Sequence, residues 1–180
     1  MISAIFQFDQ AITARLSSLL PHNAFFDTFF SFFSLLGLTM IVWIILFFVF
    51  WRNEQKDKTH HHFFLAFVTS FSITSVLVNI LIKNIAHRTR PWIEQGLLET
   101  FCPSDFSFPS GHAAGAFAGA VIFAYFDKKR AWIYYFIAFL ISFSRIYLSC
   151  HYLLDVIFGA LIGYTIGVLS IKILMKVKIV

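Results

Sequence analysis

Five stretches of the chain run almost without charge between charged or helix-breaking residues, a pattern that predicts helices crossing a membrane. Thr28 to Trp51 holds 24 uncharged residues, enough to cross a hydrocarbon core of about 30 Å with room to tilt. Phe63 to Ile82 forms the second stretch, whose helix is drawn to residue 86, and the third occupies 110–126. The fourth has only 14 uncharged residues, Ala131 to Ser144. That is about 21 Å at 1.5 Å per residue, so its helix should run past Arg145, to residue 149, and carry the arginine below the membrane surface. The fifth covers 152–172. Residues 1–20 interleave Ile, Phe and Leu with Gln, Asp, Thr and Arg, which favours an amphipathic helix lying in the interface before Pro21 and Asn23 break it. The expected fold class is all-α: a polytopic membrane helix bundle of about five transmembrane helices (28–51, 63–86, 110–126, 131–149, 152–172) plus an N-terminal amphipathic helix, in one integral-membrane domain.

Composition supports the pattern. With 59% hydrophobic residues, 13% charged and a mean hydropathy of +0.79, the chain lies far from soluble domains, in which charged residues approach about a quarter. The net charge of +5 does not point to nucleic acid, because the basic residues gather at helix ends. Nine of the fourteen, from Arg52, Lys56 and Lys58 through Lys128, Lys129 and Arg130 to Lys172, Lys176 and Lys178, follow spans one, three and five. Positive charge marks the cytoplasmic side, so the other ends, with Lys83, Arg90 and Arg145, should face outward from the inner or plasma membrane. No cleavable signal is expected, since Asp9 and Arg15 interrupt the N-terminal stretch. His60, His61 and His62 lack the spacing of a helical metal site and read as a solvated loop. Cys102 and Cys150 fall on the same outer side, where a bridge is permitted. Two free thiols are the favoured reading, because sharing a side does not bring Cα atoms within about 7 Å.

The candidate chemistry sits among the apolar runs, where an ionisable side chain is costly and usually functional. In Ser144 to Asp155 (SRIYLSCHYLLD) the pair His151 and Asp155 are four apart. On a helix they would share a face, the carboxylate holding one imidazole nitrogen and leaving the other free. Arg145 supplies a planar cationic fork suited to phosphate oxygens. Two further stretches reach the same side. Lys83 and Arg90-Pro91 lie seven apart, as if on one helical face, and Pro109-Ser110-Gly111-His112 opens a helix whose free N–H groups form an anion site.

Lysine, six residues, Arg-Pro; Pro-Ser-Gly-His; then Ser-Arg, five residues, His, three residues, Asp: the order resembles the type 2 phosphatidic acid phosphatase superfamily at every motif position from Lys83 to Asp155. The flanking spans fit its small bacterial integral-membrane members, such as undecaprenyl pyrophosphate phosphatases of the bacitracin-resistance type. The resemblance implies a phosphohydrolase needing no metal and no cofactor, acting on a lipid phosphate or diphosphate (undecaprenyl pyrophosphate, phosphatidate or phosphatidylglycerophosphate). It implies His151 as nucleophile, Asp155 orienting it and His112 as acid and then base. Lys83, Arg90, Ser110, Gly111 and Arg145 would hold phosphate oxygens. Arg88, inside the first motif but not a fixed position, is a candidate diphosphate contact beside the plain reading of an exposed arginine. No nucleic-acid partner and no obligate protein partner is implied.

Gly111, Gly115 and Gly119 recur every four residues in span three, as do Gly159, Gly163 and Gly167 in span five. Small residues at that spacing let membrane helices approach closely, so the two stripes are expected to face each other and bring His112 to His151. A phosphotransferase using the same histidine is the enzymatic rival, separated by whether water or an alcohol receives the phosphate. A transporter would need ionisable groups near the midplane instead of at one end of the spans.

Overall fold

The computed structural model describes residues 2–34, 36–56, 63–94, 96 and 102–177. The three histidines at 60–62 lie outside them. Helix α1 is Ile2–Ser17, α2 Ala24–Ser34 and α3 Leu36–Lys56. Helix α4, Phe63–Ser75, continues as a π-helical segment Val76–Ile82 and then α5, Lys83–Ala86; α6 is Pro91–Glu94. Helix α7 is Gly111–Phe126, followed by a 3-10 turn Lys128–Arg130, α8 Ala131–Tyr147 and α9 Leu153–Val177. No strand occurs among the described residues.

The stretches Phe63–Glu94 and Leu153–Lys176 are long and apolar enough to cross a membrane, and Trp43–Arg52 and Gly111–Phe126 are shorter apolar helices. Phe8, Phe25, Trp132, Phe139, Leu161 and Ile173 stand exposed on the outside. Such a surface suits lipid and not water, and the chain is a membrane protein.

Helix α7 is the centre because its residues are small. Ala113, Ala114, Ala116, Ala118 and Ala120 are buried, and α4, α8 and α9 all pack on it. Helix α9 runs parallel to α7 at backbone contact. A Cβ added at Gly159 would strike the carbonyl of Ser110, at Gly163 that of Ala114, and at Gly167 the Val121 side chain. The expectation that the two glycine stripes face each other is corrected, since Gly111 faces Asn79, Gly115 faces Phe71 and Gly119 faces Trp43. The α9 stripe meets the alanine face of α7, turned about 100° per residue from its glycines. Both faces are narrow enough to admit a neighbour, and periodicity does not say which neighbour comes.

At the far end of α7, Phe123 stacks on Trp43 with ring centroids 5.3 Å apart and meets Phe50, Phe63 and Tyr134. This aromatic cluster fixes the bundle at the end opposite Gly111. The basic residues Lys128, Lys129, Arg130, Lys172 and Lys176 follow the same ends of the parallel helices α7 and α9.

Three further contacts tie outlying segments to this bundle. Helix α2 reaches Ser34, whose carbonyl accepts a hydrogen bond from Arg145 Nη1 at 3.2 Å. A buried cation needs such an acceptor. Helix α1 is amphipathic but turned inward: Asp9 and Thr13 are buried while Ile5, Phe6 and Phe8 are exposed. Its polar face caps α9, where Leu153 N donates to Thr13 Oγ1 at 2.9 Å and Leu154 N to Asp9 Oδ1 at 3.0 Å. Finally, Cys102 and Cys150 are joined by a disulfide, with Cα atoms 5.3 Å apart, against the favoured reading of free thiols. The loop before Pro109 folds back over the α8–α9 junction, which sequence separation alone does not reveal. Non-reducing peptide mapping of protein purified from an oxidising envelope should yield a Cys102–Cys150 linked peptide; two alkylatable thiols would exclude the bridge.

Candidate active site

The chain ends of α5 and α8 and the starts of α7 and α9 meet at one place, and the residues singled out from the sequence gather there. Their routes differ from those expected. Lys83 and Arg90 do not share a helical face, because α5 stops at Ala86 and His87 turns the chain with φ +49°. They converge instead on Asp105. Lys83 Nζ pairs with Asp105 Oδ2, and Arg90 reaches Oδ1 at 2.5 Å through Nη2 and the Asp105 carbonyl at 2.7 Å through Nε. Burial alone would raise the Asp105 carboxyl, but Lys83 and Arg90 outweigh it and hold the group below its ordinary range.

The second terminal nitrogen of Arg90 lies 2.9 Å from the Cys150 carbonyl and 3.0 Å from His151 Nε2. A guanidinium only donates, so this contact leaves the lone pair on Nε2 and the ring proton on Nδ1. His151 and Asp155 do not share a helical face either, since α9 begins at Leu153 and His151 sits in the preceding turn. Nδ1 is 3.6 Å from Asp155 Oδ2, too far for a hydrogen bond. Ser107 joins the pair: its hydroxyl donates to Asp155 Oδ2 at 2.5 Å and lies 3.4 Å from Nδ1.

Asp155 is fully buried and held from three sides. Besides Ser107, it accepts from Tyr152 N at 3.0 Å and from Arg88 Nη1 at 2.7 Å. Arg88 is therefore neither a plain exposed arginine nor an open diphosphate contact, its side chain being 11% exposed and paired at both terminal nitrogens. Its other nitrogen donates to Asp9 Oδ2 at 2.7 Å, and its guanidinium lies 3.9 Å over the Tyr152 ring. Two buried carboxylates sharing one arginine compensate charges that neither helix could bury alone.

Ser110 caps α7, accepting from Ala113 N at 3.4 Å, while its own N–H donates to the Asp155 carbonyl at 2.9 Å. The cap thereby ties the start of α7 to the start of α9. Gly111 opens the helix beside Asn79, and a Cβ there would strike the Asn79 amide oxygen. His112 follows, lining a cavity of about 450 Å³ with Lys83, Arg90 and Asp105, while Trp43 and Phe71 form part of its apolar wall. Arg145 is fully buried, and its Nη1 is bound to the Ser34 carbonyl and hydroxyl. Its Nε and Nη2 are buried with no partner among the described residues.

Four contributors escaped the sequence: Asp9, Ser34, Asp105 and Ser107. Asp9 is the one acid of α1, but the Gln, Thr and Arg of that amphipathic helix leave it unmarked. The serines and Asp105 sit in segments where polar residues are ordinary, and no spacing marks them.

Comparisons with known proteins place the chain in a family. The undecaprenyl-diphosphatase of Sulfolobus acidocaldarius is 38% identical over 112 residues, 61% of this chain and 54% of that one, so the match spans about half of that relative's length. Undecaprenyl-diphosphatase BcrC of Bacillus subtilis is 28% identical over 153 residues, covering 84% of this chain and 76% of its own. Among solved structures, Aquifex aeolicus LpxE superposes with a TM-score of 0.71 at 30% identity, over 90% of this chain and 93% of that one. The PAP2 superfamily model matches residues 63–179, the stretch that contains every one of the motif residues gathered at the site, and the chain belongs to that superfamily.

Proposed function

We propose that the protein is a membrane lipid phosphatase that hydrolyses the terminal phosphate of a lipid phosphate or diphosphate through a phosphohistidine on His151. The observation that carries this reading is Arg145, a fully buried cation with two donors unpartnered among the described residues, in the same cluster as Lys83 and Arg90. Buried donors left open are costly, and a phosphate oxygen is the acceptor that suits a guanidinium. In this reading Nε2 of His151 attacks phosphorus, forming the N–P bond as the P–O bond to the lipid breaks. His112 gives the leaving oxygen its proton. The same residue then takes a proton from the water that releases inorganic phosphate. Ser107 and Asp155 hold the Nδ1 proton and stabilise the positive charge that grows on the ring. Lys83, Arg90, Arg145, Ser110 and the N–H of Gly111 receive the non-bridging oxygens, whose stabilisation is usually the largest catalytic term.

No step runs through a metal, so EDTA should leave turnover unchanged. The test is phosphate release by purified protein from phosphatidate, phosphatidylglycerophosphate and polyprenyl diphosphate, with undecaprenyl diphosphate the expected best substrate because two relatives are named for it. Release from none, or transfer only to an added alcohol, would overturn hydrolysis as the activity.

The same reading takes the chain as one integral-membrane unit of about five spans with the site facing outward. The clustering of basic residues at the ends of α7 and α9 away from the site supports that orientation. A membrane-impermeant thiol reagent should label a cysteine placed at Gln95, outside the described residues, in intact cells and spare one at Gln55. The opposite pattern would move the substrate to the inner leaflet.

A further inference from the structure

Asp105 has no part in the chemistry above, yet its carboxylate occupies the two cations that the chemistry requires. Oδ2 pairs with Lys83 and Oδ1 with Arg90, the two-oxygen grip that a phosphate would make on the same groups. Lys83 is 5% and Arg90 1% exposed, whereas the Asp105 side chain is 47% exposed. The cations are thus fixed inside and the carboxylate reaches them from the open side. Its segment is held close by the Cys102–Cys150 disulfide beside His151, so after displacement the carboxylate stays near enough to compete again.

Such a competitor sorts anions by charge. A bilayer surrounds this site with phosphodiester headgroups, each phosphate carrying one negative charge. Exchange of one carboxylate for one such phosphate replaces like with like and gains little Coulomb energy. A terminal phosphate carries about −1.5 to −2 near pH 7 and presents a third oxygen, which can accept hydrogen bonds from the open donors of Arg145. Only the terminal phosphate gains on exchange.

Resting on the phosphatase reading, we infer that Asp105 is a specificity-determining residue: its carboxylate holds the Lys83 and Arg90 pair against the phosphodiester headgroups of the bilayer and yields it to a terminal phosphate. Discrimination of this kind comes from an element that opposes the wrong ligand and not from a contact to the right one.

The test compares wild type, Asp105→Asn and Lys83→Ala in neutral detergent micelles. Two quantities are read: inhibition of phosphate release by added phosphatidylglycerol, and binding of inorganic phosphate by calorimetry, which serves also where a variant is inactive. Asp105→Asn should be inhibited by phosphatidylglycerol at least about tenfold more strongly than wild type and should bind phosphate more tightly. Lys83→Ala should lose phosphate affinity. If Lys83→Ala loses affinity while Asp105→Asn shows neither stronger phosphatidylglycerol inhibition nor tighter phosphate binding, the role of Asp105 is overturned and the phosphate site stands. If Lys83→Ala binds phosphate as wild type does, the cationic cluster is not the phosphate site and both readings fall.

Discussion

Replacing His151 with alanine is expected to lower phosphate release by roughly 10,000-fold or more, the scale seen when a covalent catalyst loses its nucleophile. The expectation follows from the direction of the ring. Arg90 leaves the lone pair on Nε2, and Ser107 and Asp155 stand on the Nδ1 side. The nitrogen proposed to react is thereby presented beside Arg90. Arg90 keeps the Cys150 and Asp105 carbonyls as acceptors without the imidazole, so the loop should stay anchored and the variant should fold. Phosphate release from His151→Ala within tenfold of wild type would exclude the covalent route.

A leucine at Gly163 should have the next largest effect, although it lies far from any reacting atom. Even a single Cβ there would overlap the Ala114 backbone, and backbone cannot rotate aside as a side chain does. Helices α7 and α9 would have to part, at a cost of roughly 3 kcal/mol or more by the measure of overpacked cores. The displacement reaches the site directly, because Ser110 N on α7 binds the Asp155 carbonyl on α9. A shift of about 1 Å is enough to lower activity roughly 100-fold. Phosphate release per folded molecule, counted after size-exclusion chromatography, is the quantity to compare. An unchanged value would show that this contact does not position Asp155.

Of the eight residues proposed for the site, six are His, Arg, Lys or Asp beside apolar stretches, where such groups are costly and usually functional, and Ser110 and Gly111 were named from the motif that opens a helix. What spacing did not convey was the path between them. Lys83 and Arg90 suggested a helical face, and meet instead across a chain reversal at His87. His151 and Asp155 suggested one turn of helix, and are joined through Ser107. These misreadings share a cause: spacing reports geometry only inside a regular element, and active groups sit where elements end. Helix α1 was legible as amphipathic, but not which way its polar face turns. In lipid an amphipathic helix can present its apolar face outward, so the polar face of α1 caps α9 and secures Arg88 through Asp9. Pattern reveals that such a helix has two faces, while the medium and the neighbours decide which is turned in.

The most direct measurement is to mix the purified protein with substrate labelled in its terminal phosphate, quench within milliseconds into alkali, and map the labelled peptide. A phosphoryl group on nitrogen survives alkali and is lost in acid. The account expects acid-labile label on the peptide containing His151 in wild type and none in His151→Ala. Turnover without any such label, or label that remains when His151 is replaced, would contradict it.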